Sequence, residues 1–349
     1  MTAERLSDYD GMAHILLNPT SSQHRRLVRD EIGDLVLSLG DRVNLVFTDQ
    51  DPYITQEKIA SCIKPGDIIV SGSGDGGDSL IVRTLLQFPG LVEEVRKTPV
   101  LSLYGGNANQ GPAELTPKKL FRLPSIKGIL QHGMVIDAYA GNVKFSPSPN
   151  LEADGEDQFD TIESLFNYFA GVGATGHSAD ELHRVRMHRL RSSPLGRNLV
   201  DIPAVLRGIS RARNNRFEVQ ETIYETPDNI ISQSDYRSAH EVSFVNGERM
   251  AKFGMFSSRL EYPEMYKGIR IDSRWLAILR DAAAMMVGRL AGDHIPGYLT
   301  VRLDYKHKPG ASPMGHIDGD SIPLPREGSM EVRTYPEPYR VVTTNTSKY

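Results

Sequence analysis

The chain has 349 residues, 40 Lys and Arg against 44 Asp and Glu, a formal charge of −4, and one cysteine, Cys62. That length predicts two domains, the acidic balance argues against wholesale nucleic-acid binding, and one cysteine excludes an internal disulfide framework and fits a reducing, cytoplasmic compartment. A mean hydropathy of −0.35, with no uncharged apolar run approaching ~18 residues, predicts no transmembrane segment. Met1 to Gly11 carries Glu4, Asp8 and Asp10 and no apolar signal core.

Ala13 to Leu17 is a short apolar run and reads as the first strand. It closes on Asn18-Pro19-Thr20-Ser21-Ser22, a turn rich in hydroxyls. Arg25 to Leu39 then spaces Leu27, Ile32, Leu35, Val36 and Leu39 close to a helical period. Val43 to Phe47 is a second strand, stopped at Thr48-Asp49-Gln50-Asp51-Pro52, and Ile54 to Ile63 a second helix. Asp67 to Val70, β-branched and preceded by Pro65-Gly66, is a third strand. Ser71 to Gly77 is a glycine-rich turn, and Asp78 to Leu86 predicts a helix with Asp78-Ser79 as its cap. Val100 to Leu103 is a fourth strand, followed by the polar loop Gly105 to Gln110. The alternation predicts an α/β fold: a parallel sheet with helices on both faces.

In such a sheet, ligands bind outside the carboxyl ends of the strands. The loops at Asn18 to Ser22, Thr48, Ser73 to Gly77 and Gly105 to Gln110 all follow strands, so all four are expected along one edge. Strand, glycine turn and helix start together aim backbone N–H groups at a phosphate. Asp75 sits inside that turn. A carboxylate there repels a phosphate unless a cation intervenes, which makes it a candidate partner for Mg²⁺ or a substrate hydroxyl. Gly72 to Gly77 also spells G-x-G-x-x-G. The dinucleotide fingerprint belongs in the first βα turn with an acid ending the next strand, and neither condition holds here. The plainer alternative is that these glycines only make a tight turn.

Past Pro147 the sequence is less specific. Pro147 to Asn150 and Ala153 to Asp157 read as a boundary loop. The basic run Glu181 to Arg191 reads as a solvated face, with an anionic lipid surface as the alternative. Arg207, Arg211, Arg213 and Arg216 suit either a phosphate or a place between strands. Ser273 to Gly288 is an amphipathic helix bearing Trp275, Met285 and Met286, for core packing or an acyl chain. Met330 to Tyr349 reads as a strand pair and a loose tail.

Taken together, these motifs resemble the catalytic domain of the diacylglycerol kinase family, which includes bacterial lipid kinases and sphingosine kinases, with the NAD kinases more distant. That family has Asn-Pro-x-Ser-Gly after its first strand, a Thr ending the second, then Gly-Gly-Asp-Gly-Thr and Gly-Thr-x-Asn-Asp. Here stand Asn18-Pro19-Thr20-Ser21-Ser22, Thr48, Ser73-Gly74-Asp75-Gly76-Gly77 and Gly105-Gly106-Asn107-Ala108-Asn109-Gln110. Ile317-Asp318-Gly319-Asp320 stands where the family has Asp-Gly-Glu. Met134 to Asp137 resembles the strand opening its second domain, and Tyr168 to Gly173 its Phe-x-x-x-x-Gly segment.

The resemblance implies an ATP-binding α/β domain over residues 1–140, to which 330–349 return, and a β-sandwich-like substrate domain over 141–330. It implies a kinase passing the γ-phosphoryl group of ATP, with Mg²⁺, to a lipid hydroxyl such as that of diacylglycerol or a sphingoid base. Asp320 would be the base and Asp75 would orient the Mg²⁺-nucleotide. Asn18 to Ser22, Thr48, Ser73 to Ser79, Asn107 and Asn109 would line the ATP site. It further implies a peripheral membrane position for a lipid substrate and allows a homodimer. The chain departs from the pattern at Ser73, Gly77, Ser79-Leu80, Asn107, Gln110 and Lys267-Gly268. Two alternatives therefore stand beside the lipid kinase: a non-catalytic nucleotide binder, and a kinase for a soluble acceptor.

Overall fold

The structure is a computed structural model that describes residues 4–19, 32–103, 115, 126–148, 159–185, 194–246, 249–250, 254–255, 265–272 and 293–344. It divides into two units, Met1–Ala140 with Pro336–Tyr349, and Gly141–Tyr335.

The first unit is built on parallel strands: β1 Ala13–Leu17, β2 Val43–Phe47, β3 Ile68–Ser71 and β4 Val100–Ser102. β1 lies between β2 and β3, β4 flanks β3, and the C-terminal stretch joins beyond it with Val341 opposite Val100. The chain thus leaves β1 for one neighbour and returns to the other. Helices α1 Pro52–Cys62 and α2 Asp75–Gln87 make the crossovers. Asp51 caps α1 by accepting from the Tyr53 N–H at 2.8 Å, ahead of Pro52 in the first turn.

Side chains alternate across this sheet, as a strand's period of two requires. Leu16, Val46, Ile69 and Val100 pack on one side with Ile59, Ile81 and Leu85 of the helices. Ile15, Leu17, Ile68, Val70 and Leu101 pack on the other with Ile32, Ile129 and Val342. Both faces are covered, which is the condition under which parallel sheets persist.

Two expectations change here. The sequence predicts a helix from Arg25; the described helix runs Gly33–Leu39, and residues 20–31 lie outside the described set. The expected C-terminal strand pair is one continuous strand, β13 Glu327–Thr343. Nothing between Met330 and Thr343 breaks a strand except Pro336 and Pro338, and both sit in its exposed middle.

The second unit is rich in antiparallel strands. After β5 Met134–Pro147, which crosses the division, come β6 Ile162–Phe166 and β7 Phe169–Gly173. Two helices follow, α3 Ala174–Arg184 and α4 Pro194–Asn214. β8 Phe217–Thr226, β9 Arg237–Val245, β10 Thr300–His307, β11 Met314–Ile317 and β12 Asp320–Pro323 precede β13. β8 pairs with β10, β10 with β13, and β7 with both β9 and β11, all antiparallel. Phe145, Phe166, Phe217, Phe244, Val301 and Met330 fill the core between these strands.

The arginines Arg207 and Arg211 do not lie between strands. They are on α4, a 21-residue helix whose Gly208 packs on α3; a β-carbon there would fall 2.4 Å from the Ser178 Cα. Arg211 pairs with Glu181 at 2.5 Å and Asp180 at 3.5 Å, and Arg207 with Glu181 at 3.4 Å. The amphipathic stretch Ser273 to Gly288 lies outside the described residues.

Candidate functional site

The sheet order β2-β1-β3-β4 puts a topological switch point between β1 and β3. The connections from these neighbours leave in opposite directions there, and a crevice opens at their carboxyl ends. The tips are level. Leu17 pairs with Phe47, Leu16 with Ser71, and Ser71 with Ser102. Ladder bonds run to the ends: Thr48 N–H donates to Leu17 O at 2.9 Å, Gly72 N–H to Leu16 O at 2.8 Å and Leu103 N–H to Ser71 O at 2.9 Å. Asn18-Pro19, Thr48 and Gly72 to Gly74 therefore start from one rim. Thr20, Ser21, Ser22, Asn107 and Asn109 lie outside the described residues.

The glycine turn is shorter than its sequence suggests. Gly74 has φ 82° and ψ −175°, a backbone conformation essentially reserved for glycine, and it is the N-cap of α2. The helix starts at Asp75 rather than at Asp78. The N–H groups of Gly77 and Asp78 both donate to Gly74 O, at 2.9 and 3.0 Å. Asp78 and Ser79 are consequently not caps but buried first-turn residues, each 1% exposed. Ser79 Oγ donates to Asp75 O at 3.0 Å. Gly76 is exposed, and a β-carbon on it would meet nothing within 4 Å, so the backbone at the helix start faces open space. Asp75 and Asp78 both lie in the first turn, where the helix dipole favours negative charge.

Ser73 and Gly77 are fitted to each other. A β-carbon on Gly77 would lie 1.6 Å from Ser73 Oγ and 2.5 Å from Ser73 Cβ. Ser73 thus fills the space that a side chain at position 77 would take. Its hydroxyl is 3.4 Å from that of Ser71, which keeps a hydroxyl in the turn although position 77 has none.

In the second unit Asp320, expected from sequence as a base, is exposed and opens β12. It pairs with Ile317 across a two-residue turn in which Asp318 has φ 50° and Gly319 φ 90°. Two positive φ values in succession describe a type I′ hairpin, for which Asp-Gly is a favoured sequence. Asp318, not singled out from sequence, is the buried member. Its carboxylate accepts from the N–H groups of Asn167 and Tyr168, each at 2.8 Å, and Phe169 at 3.0 Å. It anchors the entry to β7, and the Asp-Gly pair between alternating strands was the signal for it.

A second set also went unread: Glu241, Ser243 and His316, at most 1% exposed. The Ser243 hydroxyl donates to Glu241, His316 Nε2 lies 3.1 Å from Ser243 Oγ, and Glu241 Oε2 accepts from Thr175 N–H at 2.8 Å. Burial this complete makes it a fastening between β9, β11 and the start of α3. Sequence gave no signal, because the three residues are brought together only by strand pairing. Among the described residues, no group of three or more His, Cys, Asp or Glu could hold a metal by itself.

Solved structures share this architecture. A diacylglycerol kinase from Bacillus anthracis strain Sterne matches with a TM-score of 0.54 at 14% identity, covering 96% of this chain and 97% of its own. A second structure from that strain, provisionally assigned as a diacylglycerol kinase, matches with a TM-score of 0.59 at 13% identity, covering 96% and 98%. The chain shares their fold. No protein-family model matches it, and no curated protein does. This is a diacylglycerol-kinase-like fold.

Proposed function

We propose that the protein is an ATP-dependent kinase of the diacylglycerol-kinase type, passing the γ-phosphoryl group to a hydroxyl of a lipid such as diacylglycerol or a sphingoid base. The observation that carries this reading is the glycine-only backbone at Gly74, which starts α2 at Asp75 on the switch-point rim. That is a phosphate cradle in physical terms: accessible first-turn backbone, a glycine approach and a helix dipole pointing outward. Full-length likeness in fold to diacylglycerol kinases supports it.

In this reading Asn18, Thr48, Ser73 and the backbone of Gly74 to Gly77 hold the nucleotide, with Thr20, Ser21, Ser22, Asn107 and Asn109 completing its surroundings. Asp78 and Ser79, being buried, act by bracing the first turn. Asp75 would hold Mg²⁺, which characteristically takes one or two carboxylates plus phosphates rather than a protein cage and would supply charge neutralisation at the phosphate oxygens. Asp320 takes the proton of the acceptor hydroxyl as general base. Its exposure suits a group that must meet a substrate. Catalysis then rests on positioning and charge neutralisation.

The test is transfer of label from the γ-position of ATP to lipid and soluble alcohols. Asp75→Asn and Asp320→Asn should each lower the rate by roughly a hundredfold or more without altering the melting temperature. An unchanged rate in either variant removes that residue from the mechanism. Stabilisation by ATP with no transfer to any alcohol would make the chain a nucleotide binder.

A further inference from the structure

Charge is unevenly spread in this chain. Between Leu182 and Asn214 the sequence holds eight arginines and one aspartate, in a protein of net charge −4. Most of that stretch is α4, which uses its two sides differently. Val200, Ala204, Gly208 and Ala212, four apart in sequence, are buried. On the far side Leu199, Ile202 and Leu206 are 63%, 52% and 56% exposed. Their spacing of three and four puts them in one stripe along the helix. Arg207 flanks it and Arg211 lies one turn on, toward α3; their pairing with Glu181 and Asp180 leaves about half of each side chain in solvent.

We infer that the outer side of α4 docks the protein on an anionic lipid bilayer, with Leu199, Ile202 and Leu206 entering the headgroup boundary and the arginines meeting lipid phosphates. A helix lying in the membrane plane has this composition: an apolar stripe with a cationic border. Charge selects among the possible occupants. A second copy would bring two arginine-rich surfaces together. A nucleic acid would satisfy the arginines but not three exposed aliphatic side chains. An anionic bilayer satisfies both. This deepens the lipid-kinase reading by naming the surface that delivers the enzyme to its substrate, and it is measurable without ATP.

The experiment is cosedimentation of the full chain, without nucleotide, with vesicles of phosphatidylcholine alone or mixed with phosphatidylglycerol. Binding is expected to the mixed vesicles, to weaken as salt is raised, and to fall by at least about tenfold in the Ile202→Asp/Leu206→Asp variant. Because both side chains are exposed, its melting temperature should match the parent. Leu199→Ala, a milder change, should give an intermediate loss. The inference is overturned if the parent ignores mixed vesicles, if the double variant binds them equally, if it differs only in oligomeric state by light scattering, or if the stretch retains nucleic acid in preference to vesicles. Vesicle binding without phosphoryl transfer would sink only the kinase reading. Transfer to lipid in detergent without vesicle binding would sink only this one.

Discussion

Single residues in the first unit carry the strictest geometric demands. Gly74 holds a φ that a side chain rarely adopts, so Gly74→Ala should cost about 1–3 kcal/mol, measured by denaturant unfolding, and should weaken ATP binding further. Gly77→Ala should be destabilising by a similar ~1–3 kcal/mol of overpacking against Ser73. Ser73→Gly in the same chain should relieve most of it, because the two positions share one space. Equal cost with and without Ser73→Gly would show that the fit between them is not what limits the site.

His307 gives a residue-level pH dependence. Its Nδ1–H donates to Asn215 O at 3.1 Å, its ring lies 4.8 Å from that of Phe217, and Nε2 has no partner among the described residues. Burial pushes its pKa down from 6.5 to about 4. Between those values the unfolded chain binds a proton that the folded one refuses, so stability falls as pH drops from about 6.5 to about 4 and levels off below. Replacing His307 with Phe should flatten that part of the stability curve. An unaltered slope would assign it to other groups.

At the level of elements, the packing of α4 on α3 depends on one small residue. Gly208→Leu would drive a side chain into Ser178 and should destabilise the second unit by ~1–3 kcal/mol or more, read by thermal unfolding. The hairpin between β11 and β12 depends likewise on Asp318. Asp318→Ala would remove the carboxylate acceptor of three buried N–H groups, a loss of about 1–3 kcal/mol for each that stays unpaired. The rate of such a variant should be judged only at a temperature where it remains folded.

Elements also show what was readable from sequence. β1 to β4 are short apolar runs closed by Gly, Pro, Asn or Thr, and buried parallel strands advertise themselves that way. The start of α2 was misplaced by three residues because Asp78-Ser79 has cap chemistry, while glycine at 74 does the capping through its backbone. The helix α4 was missed: Pro203 and Gly208 interrupt its helical pattern, and tertiary packing on α3 overrides that weak propensity. Asp318 was readable as a turn residue but was absorbed into a motif centred on Asp320.

For the molecule as a whole, the order of strands decides more than any single motif. G-x-G-x-x-G at Gly72 to Gly77 would name a dinucleotide fold by pattern alone. Its place after the third strand, beside a switch point between β1 and β3, is what favours a nucleotide phosphate site of another kind. Function at this scale is proposed from a fold shared at 13–14% identity, so chemistry must supply the rest. The protein should therefore be incubated with Mg²⁺ and ATP labelled at the γ-phosphate, in the presence of diacylglycerol, a sphingoid base and soluble alcohols, and the products separated. Label on a lipid, lost in Asp75→Asn, is the expected result; label on no lipid while the folded protein still binds ATP would contradict it.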